Sequence, residues 1–193
     1  MQSPSQIITS ALNESIAVKL ALVEREIPLI VHIAELMART FESGHKVVLF
    51  GNGGSAADAQ HVAAELVGRF MLQRTALPAI ALTTDTSILT SIGNDFAFDQ
   101  VFVRQIEALV QAGDLAVGIS TSGDSPNILG GITAAKQKGA TTLGFTGLNG
   151  GKLKELADIC FCAPSERTAR IQEAHITVWH AICEAVEARL FGA

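Results

Sequence analysis

Residues 47–70 read VVLFGNGGSAADAQHVAAELVGRF, and three patterns follow one another in them without a gap. The apolar run 47–50 reads as a buried strand, Gly51-Asn52-Gly53-Gly54-Ser55 as a turn, and 56–70 has helical spacing of its apolar residues. This order leaves backbone N–H groups at a helix N-terminus, where the partial positive charge of the helix favours an anion such as phosphate. Ser55 and Asp58 fit the capping-box pattern, which predicts a helix start near Ser55. Within the helix His61 and Glu65 stand four residues apart, so one face carries an imidazole and a carboxylate within reach of each other. An arbitrary pair of this kind is a weak surface contact. This pair gains interest because its helix begins at the glycine turn, and Arg69 continues the same polar stripe.

The turn also satisfies the loose dinucleotide pattern G-x-G-x-x-G/A. The acidic residue that pattern expects about 20 positions on has no good match, Asp85 lying well beyond it. A small phosphate ester fits better.

Upstream, 5–26 place Ile8, Leu12, Ile16, Leu20 and Val23 at steps of three and four, and after Pro28 the segment 29–41 repeats the pattern with Ile30, Ile33, Met37 and Phe41. Two helices ahead of any strand predict a hairpin that packs on a neighbouring subunit as well as on its own sheet. Downstream, strands are expected over 78–83, 114–119, 141–146 and 159–163. Helices are expected from Thr84-Asp85-Thr86 to Gly93-Asn94-Asp95, then over 98–110, 126–139, 152–157 and 167–190. Strands alternating with helices imply βαβ units, hence an α/β fold with a mostly parallel sheet covered on both faces. The third strand runs into a second polar turn, Ser120-Thr121-Ser122-Gly123-Asp124-Ser125, whose hydroxyls suit a phosphate monoester. Ser125 before Pro126 predicts a hydroxyl N-cap. Both turns would open at the carboxyl ends of their strands, where open α/β sheets bind ligands.

The chain of 193 residues has the size of one domain, with 1–43 as the hairpin and 44–193 as the α/β core. Hydrophobic residues make up 48% and charged residues 17%, an apolar balance that points to surface buried between subunits. A net charge of -5 without a basic run argues against an extended polyanion such as nucleic acid. Cys160, Cys162 and Cys183 lack the spacing of a zinc knuckle or disulfide framework and read as reduced thiols of a cytoplasmic protein. No apolar run approaches the roughly 18 residues that a membrane span needs, and no secretory leader is visible.

The last helix carries RIQEAHITVWH, residues 170–180. Gln172 and Glu173 both fall on the face of His180 two turns away, and geometry alone does not choose between them. His175 points away and reads as a core or interface histidine.

These motifs together are specific. FGNGGSAADAQHVAAELVGRF, SIGNDFAFDQVF, GDLAVGISTSGDSPNI and TARIQEAHITVWH resemble, essentially end to end, the sugar isomerase (SIS) domain family and within it the sedoheptulose 7-phosphate isomerase branch. The resemblance implies a three-layer flavodoxin-like fold with a five-stranded sheet, and a homotetramer with its sites between subunits. It implies conversion of sedoheptulose 7-phosphate to D-glycero-D-manno-heptose 7-phosphate, a first step toward lipopolysaccharide heptose. It implies one zinc ion per subunit held by His61, Glu65, Gln172 and His180, with Glu65 and His180 as the acid/base pair. Phosphate would lie on Ser120, Thr121, Ser122 and Ser125 with Ser55 nearby, and Asn52, Gly53, Gly54, Asn94 and Asp95 would contact the sugar. A non-catalytic branch, similar to the DnaA initiator-associating protein, lacks the acid/base residues that stand here at 65 and 180. Ala169 occupies a position where some isomerases carry aspartate, and Asp124 one where asparagine is frequent, so Asp124 is expected to point away from the phosphate.

Overall fold

A computed structural model describes residues 2–192. Its five strands are β1 (Val47–Gly51), β2 (Ala79–Ala81), β3 (Leu115–Ile119), β4 (Thr141–Thr146) and β5 (Ile159–Cys162). All pair in parallel, in the order β2-β1-β3-β4-β5. The apolar runs form these strands because every residue of β1 and β3 is buried, which only a sheet covered on both faces permits.

Alternation along β1 divides the core. Val47 and Leu49 join one cluster with Ile33 and Met37 of α2 (Ile27–Glu42), Val62 and Leu66 of α3 (Gly54–Val67), and Trp179 and Ile182 of α8 (Thr168–Phe191). Val48 and Phe50 join the other, with Ile106 of α5 (Val103–Leu109), Ile128 and Ile132 of α6 (Pro126–Gln137), and Leu153 of α7 (Gly151–Leu156). Helices α3 and α8 therefore lie side by side on one face, although 100 residues separate Gly54's helix from Thr168's by order of magnitude. Strand order reverses between β1 and β3, so the loops that leave these two strands diverge and open a crevice at their carboxyl ends.

Both helices form, but not as a hairpin: α1 (Pro4–Arg25) passes through the single helical residue Glu26 into α2. The two run along α8 in one sense, with Ala11 beside Arg170, Leu22 and Ile30 beside Val178, and Glu42 beside Arg189. Pro28 stands in the first turn of α2, where its missing N–H costs nothing. Only Val18 and Leu22 of α1 are buried. Ile8, Leu12, Ile16, Leu20 and Val23, the stripe that identified the helix, are all more than half exposed. Among the described residues α1 is also the one helix long and apolar enough, by length and composition, to cross a membrane, contrary to the reading of the sequence. Gln6, Asn13 and Glu14 interrupt it, so it is apolar along a stripe rather than all round.

Three further expectations need correction. The helix over 98–110 is broken into a 3-10 turn (Phe98–Gln100) and α5, because Val101 and Phe102 between them both turn into the core. The capping box at Ser55 and Asp58 is not formed: α3 starts at Gly54, Ser55 lies inside its first turn, and no side chain caps the helix. Ser125 does stand at the N-cap of α6, but its hydroxyl makes no capping bond. The three cysteines are free, with Cys183 buried and the two on β5 half-buried.

Candidate active site

The turn after β1 owes its shape to Gly53, whose φ of 55 and ψ of -121 make it the N-cap of α3 in a conformation that side chains avoid. The N–H groups of Ser55 and Ala56 donate back to the carbonyls of Asn52 and Gly53 at 3.0 and 3.1 Å, so the turn is a weaker anion cradle than its sequence suggests. Ser55 is buried within it. Asn52 exchanges two amide hydrogen bonds, of 2.9 and 2.8 Å, with Asn127 in the first turn of α6. This pair ties the two polar turns together across the crevice. Sequence reading missed Asn127, and its place beside Pro126 at a helix start was the one available signal.

In the second turn the Ser120 hydroxyl lies 2.9 Å from that of Ser125 and 3.4 Å from that of Ser122. That contact, rather than a cap, engages Ser125. Gly123 and Asp124 donate backbone N–H bonds to Ser120 and Ser122, which fixes the hydroxyls as a cluster. Asp124 accepts from the Lys152 N–H of α7 at 3.2 Å and lines the same cleft as Thr121 and Ser122. Thr121 and Ser122 form one wall of a cleft of about 330 Å³, faced by Asn149, Ser165 and Glu166.

Because α3 and α8 are neighbours, their polar residues meet above this crevice. His61 Nε2 lies 2.8 Å from His180 Nε2 and 3.4 Å from Glu65 Oε1. One donor atom from each of His61, Glu65 and His180 falls within 4.8 Å of the others. Tetrahedral ligands about 2.0–2.1 Å from a zinc ion are roughly 3.3 Å apart, so the trio fits a cation with little adjustment. Gln172 lies over the start of α3: a Cβ built on Gly54 would fall 2.9 Å from its Cδ. Glycine at 54 thus admits the glutamine. Glu173 is instead drawn to Arg170 at 2.7 Å, which separates the two residues that helical geometry left equivalent.

Asn94 and Asp95 end α4 (Thr86–Asp95), exposed and bonded to each other at 2.9 Å, and no hydrogen bond among the described residues joins them to the turns. Asp85 caps that helix through the Ile88 N–H. Arg69 lies beyond the end of α3, on the exposed loop. His175 is a core residue: its Nε2 lies 3.0 Å from the Thr146 carbonyl, and burial pushes its pKa down to about 4. Asp58 was not foreseen beyond its capping role. Burial raises its carboxyl to about 6, with His61 pulling the other way, and one of its oxygens has no partner. Its spacing of three from His61 was a legible sign.

Comparison with known proteins agrees with this fold. Residues 12–147 match the SIS domain model. A phosphoheptose isomerase of Roseiflexus sp. (strain RS-1) is 54% identical over 99% of each chain, and one of Aquifex aeolicus (strain VF5) is 58% identical over 91% of this chain and 92% of its own. The structure of the phosphoheptose isomerase of Neisseria gonorrhoeae superposes with a TM-score of 0.91 at 43% identity, covering 96% of this chain and 100% of that one. With a family match over 12–147 and relatives matched over nearly the whole length, the chain belongs to the SIS domain family, among its phosphoheptose isomerases.

Proposed function

We propose that this chain interconverts sedoheptulose 7-phosphate and D-glycero-D-manno-heptose 7-phosphate, as an aldose–ketose isomerase serving lipopolysaccharide heptose in the cytoplasm. The observation that carries the reading is the meeting of His61, Glu65 and His180 beside two cross-linked polar turns. Isomerisation moves a proton between C1 and C2 through an enediol, so it needs a base, an acid and charge stabilisation. Glu65 takes the carbon-bound proton, and His180 carries protons to and from the sugar oxygens, ring opening included. Ser120, Thr121, Ser122 and Ser125 hold the phosphate, with Ser55 at the edge. Asn52, Gly53 and Gly54 line the sugar, and anchoring the remote phosphate orients C1 and C2. Asn94 and Asp95, at the exposed end of α4, would add contacts to the sugar.

His61, Glu65, Gln172 and His180 would hold a zinc ion, one per subunit. When bound it supplies Lewis-acid polarisation of the carbonyl. The same reading makes the protein a homotetramer with the sites between subunits. Supporting this is the exposed stripe of α1 together with α4, none of whose residues is buried within the chain.

Incubation with sedoheptulose 7-phosphate, followed by NMR with and without chelator, tests the reading. The aldose should appear only with metal present, and Glu65→Gln should lower turnover by at least about 100-fold. Wild-type turnover in Glu65→Gln would remove Glu65 as base.

A further inference from the structure

Two turns beyond His180 on α8, Glu187 is only 2% exposed, yet its carboxylate is fully engaged. It accepts the consecutive backbone N–H groups of Phe70, Met71 and Leu72 at 2.8, 2.8 and 2.9 Å, and Arg74 Nε at 2.7 Å. These donors hold its carboxyl down to about 2 against the opposing effect of burial. Arg74, equally buried, directs its remaining nitrogens to the carbonyls of Glu65 at 2.8 Å, Leu66 at 2.9 Å and Thr75 at 3.0 Å. The first two belong to the last turn of α3, whose carbonyls have no partner within the helix. One ion pair therefore joins the end of α3, the irregular loop after it, and α8.

The three elements so joined are those that shape the acid/base pair. The Glu65 side chain leaves the residue whose carbonyl Arg74 grips. Phe70, whose N–H Glu187 holds, lays its ring 5.6 Å from that of His180. A buried ion pair is a poor device for stability alone, since apolar residues of similar volume often do as well. What an apolar pair could not do is gather three successive N–H groups and two helix-terminal carbonyls at fixed positions.

We propose that Glu187 and Arg74 are positioning residues of the isomerase, setting the placement of Glu65 and Phe70 against His180. The inference rests on the isomerase reading for its kinetic test only. Glu187→Gln keeps size but offers an NH₂ where N–H donors point. Arg74→Lys keeps charge but has no fork to span Glu187 and the α3 carbonyls. In either folded variant kcat should fall about 10- to 100-fold while KM stays within about twofold, the range expected when groups that orient a site are changed. Exposed Glu155→Gln on α7, across the sheet, should leave both constants unchanged. Independently of turnover, the imidazole NMR signals of His61 and His180 should move in Glu187→Gln and not in Glu155→Gln. A lower melting temperature with unchanged kcat and unchanged imidazole signals in both variants would overturn the proposal. If wild type fails to turn over sedoheptulose 7-phosphate, the isomerase reading falls, and the imidazole signals alone decide this one. If Glu187→Gln does not fold, Arg74→Lys carries both measurements.

Discussion

Replacing His175 by glutamine should change how stability depends on pH, and by an amount the structure fixes. His175 is fully buried, with its ring edge-on to Phe145 and Nε2 near the Thr146 carbonyl, and burial depresses its pKa from 6.5 to about 4. The folded state excludes a proton that the unfolded state takes up below pH 6.5. The contribution is therefore complete above that value, erodes as pH falls, and is lost by about pH 4, where the folded form also protonates. About 2.5 pH units at roughly 1.4 kcal/mol each give about 3 kcal/mol. Asp58 acts in the opposite sense: its folded pKa is raised from 3.8 to about 6, so its contribution is present below 3.8 and lost as pH rises through 6. Wild type alone would show the two partly cancelled. The difference between wild type and His175→Gln removes Asp58 from the comparison. Urea unfolding at fixed protein concentration, read by the fluorescence of the single tryptophan Trp179, gives that difference from pH 7.5 to 4. Wild type should lose about 3 kcal/mol of its advantage across the window. A difference that stays constant with pH would refute a buried neutral His175.

Gly54→Ala should fold, since Gly54 has no positive φ, but its Cβ would displace Gln172; zinc affinity measured by calorimetry should fall about tenfold or more. Ser122→Ala should raise KM about tenfold with little change in kcat, as expected for one hydrogen bond to a charged phosphate; steady-state kinetics with the heptulose phosphate checks it. Asn127→Ala leaves the Asn52 amide without its partner and should cost about 1–3 kcal/mol in urea unfolding.

What the sequence disclosed followed the range over which each interaction acts. The strands were legible because a strand buried on both faces must be apolar at every position, as 47–50 and 115–119 are. His61 and Glu65 were legible because one helix turn joins them. Local chemistry misled where a stronger neighbour intervened: Gly53 starts α3 early and strands Ser55 inside it, and Ser120 draws the hydroxyl of Ser125 away from capping. Interactions across 75 residues, as between Asn52 and Asn127, or across 115 and more, as between Glu187 and the loop at 70–72, leave no periodic trace. The periodicity of α1 revealed a helix but not what its outward stripe meets. His180 shows how far reasoning can bridge such gaps. The period of the last helix does not distinguish Gln172 from Glu173 or tie His180 to position 61, and the one local cue was Arg170 three residues before Glu173. Once the strand order places α3 and α8 on one face of the sheet, the imidazole of each helix is carried to the other, and the pairing of Glu173 with Arg170 leaves Gln172 as the residue that reaches the turn.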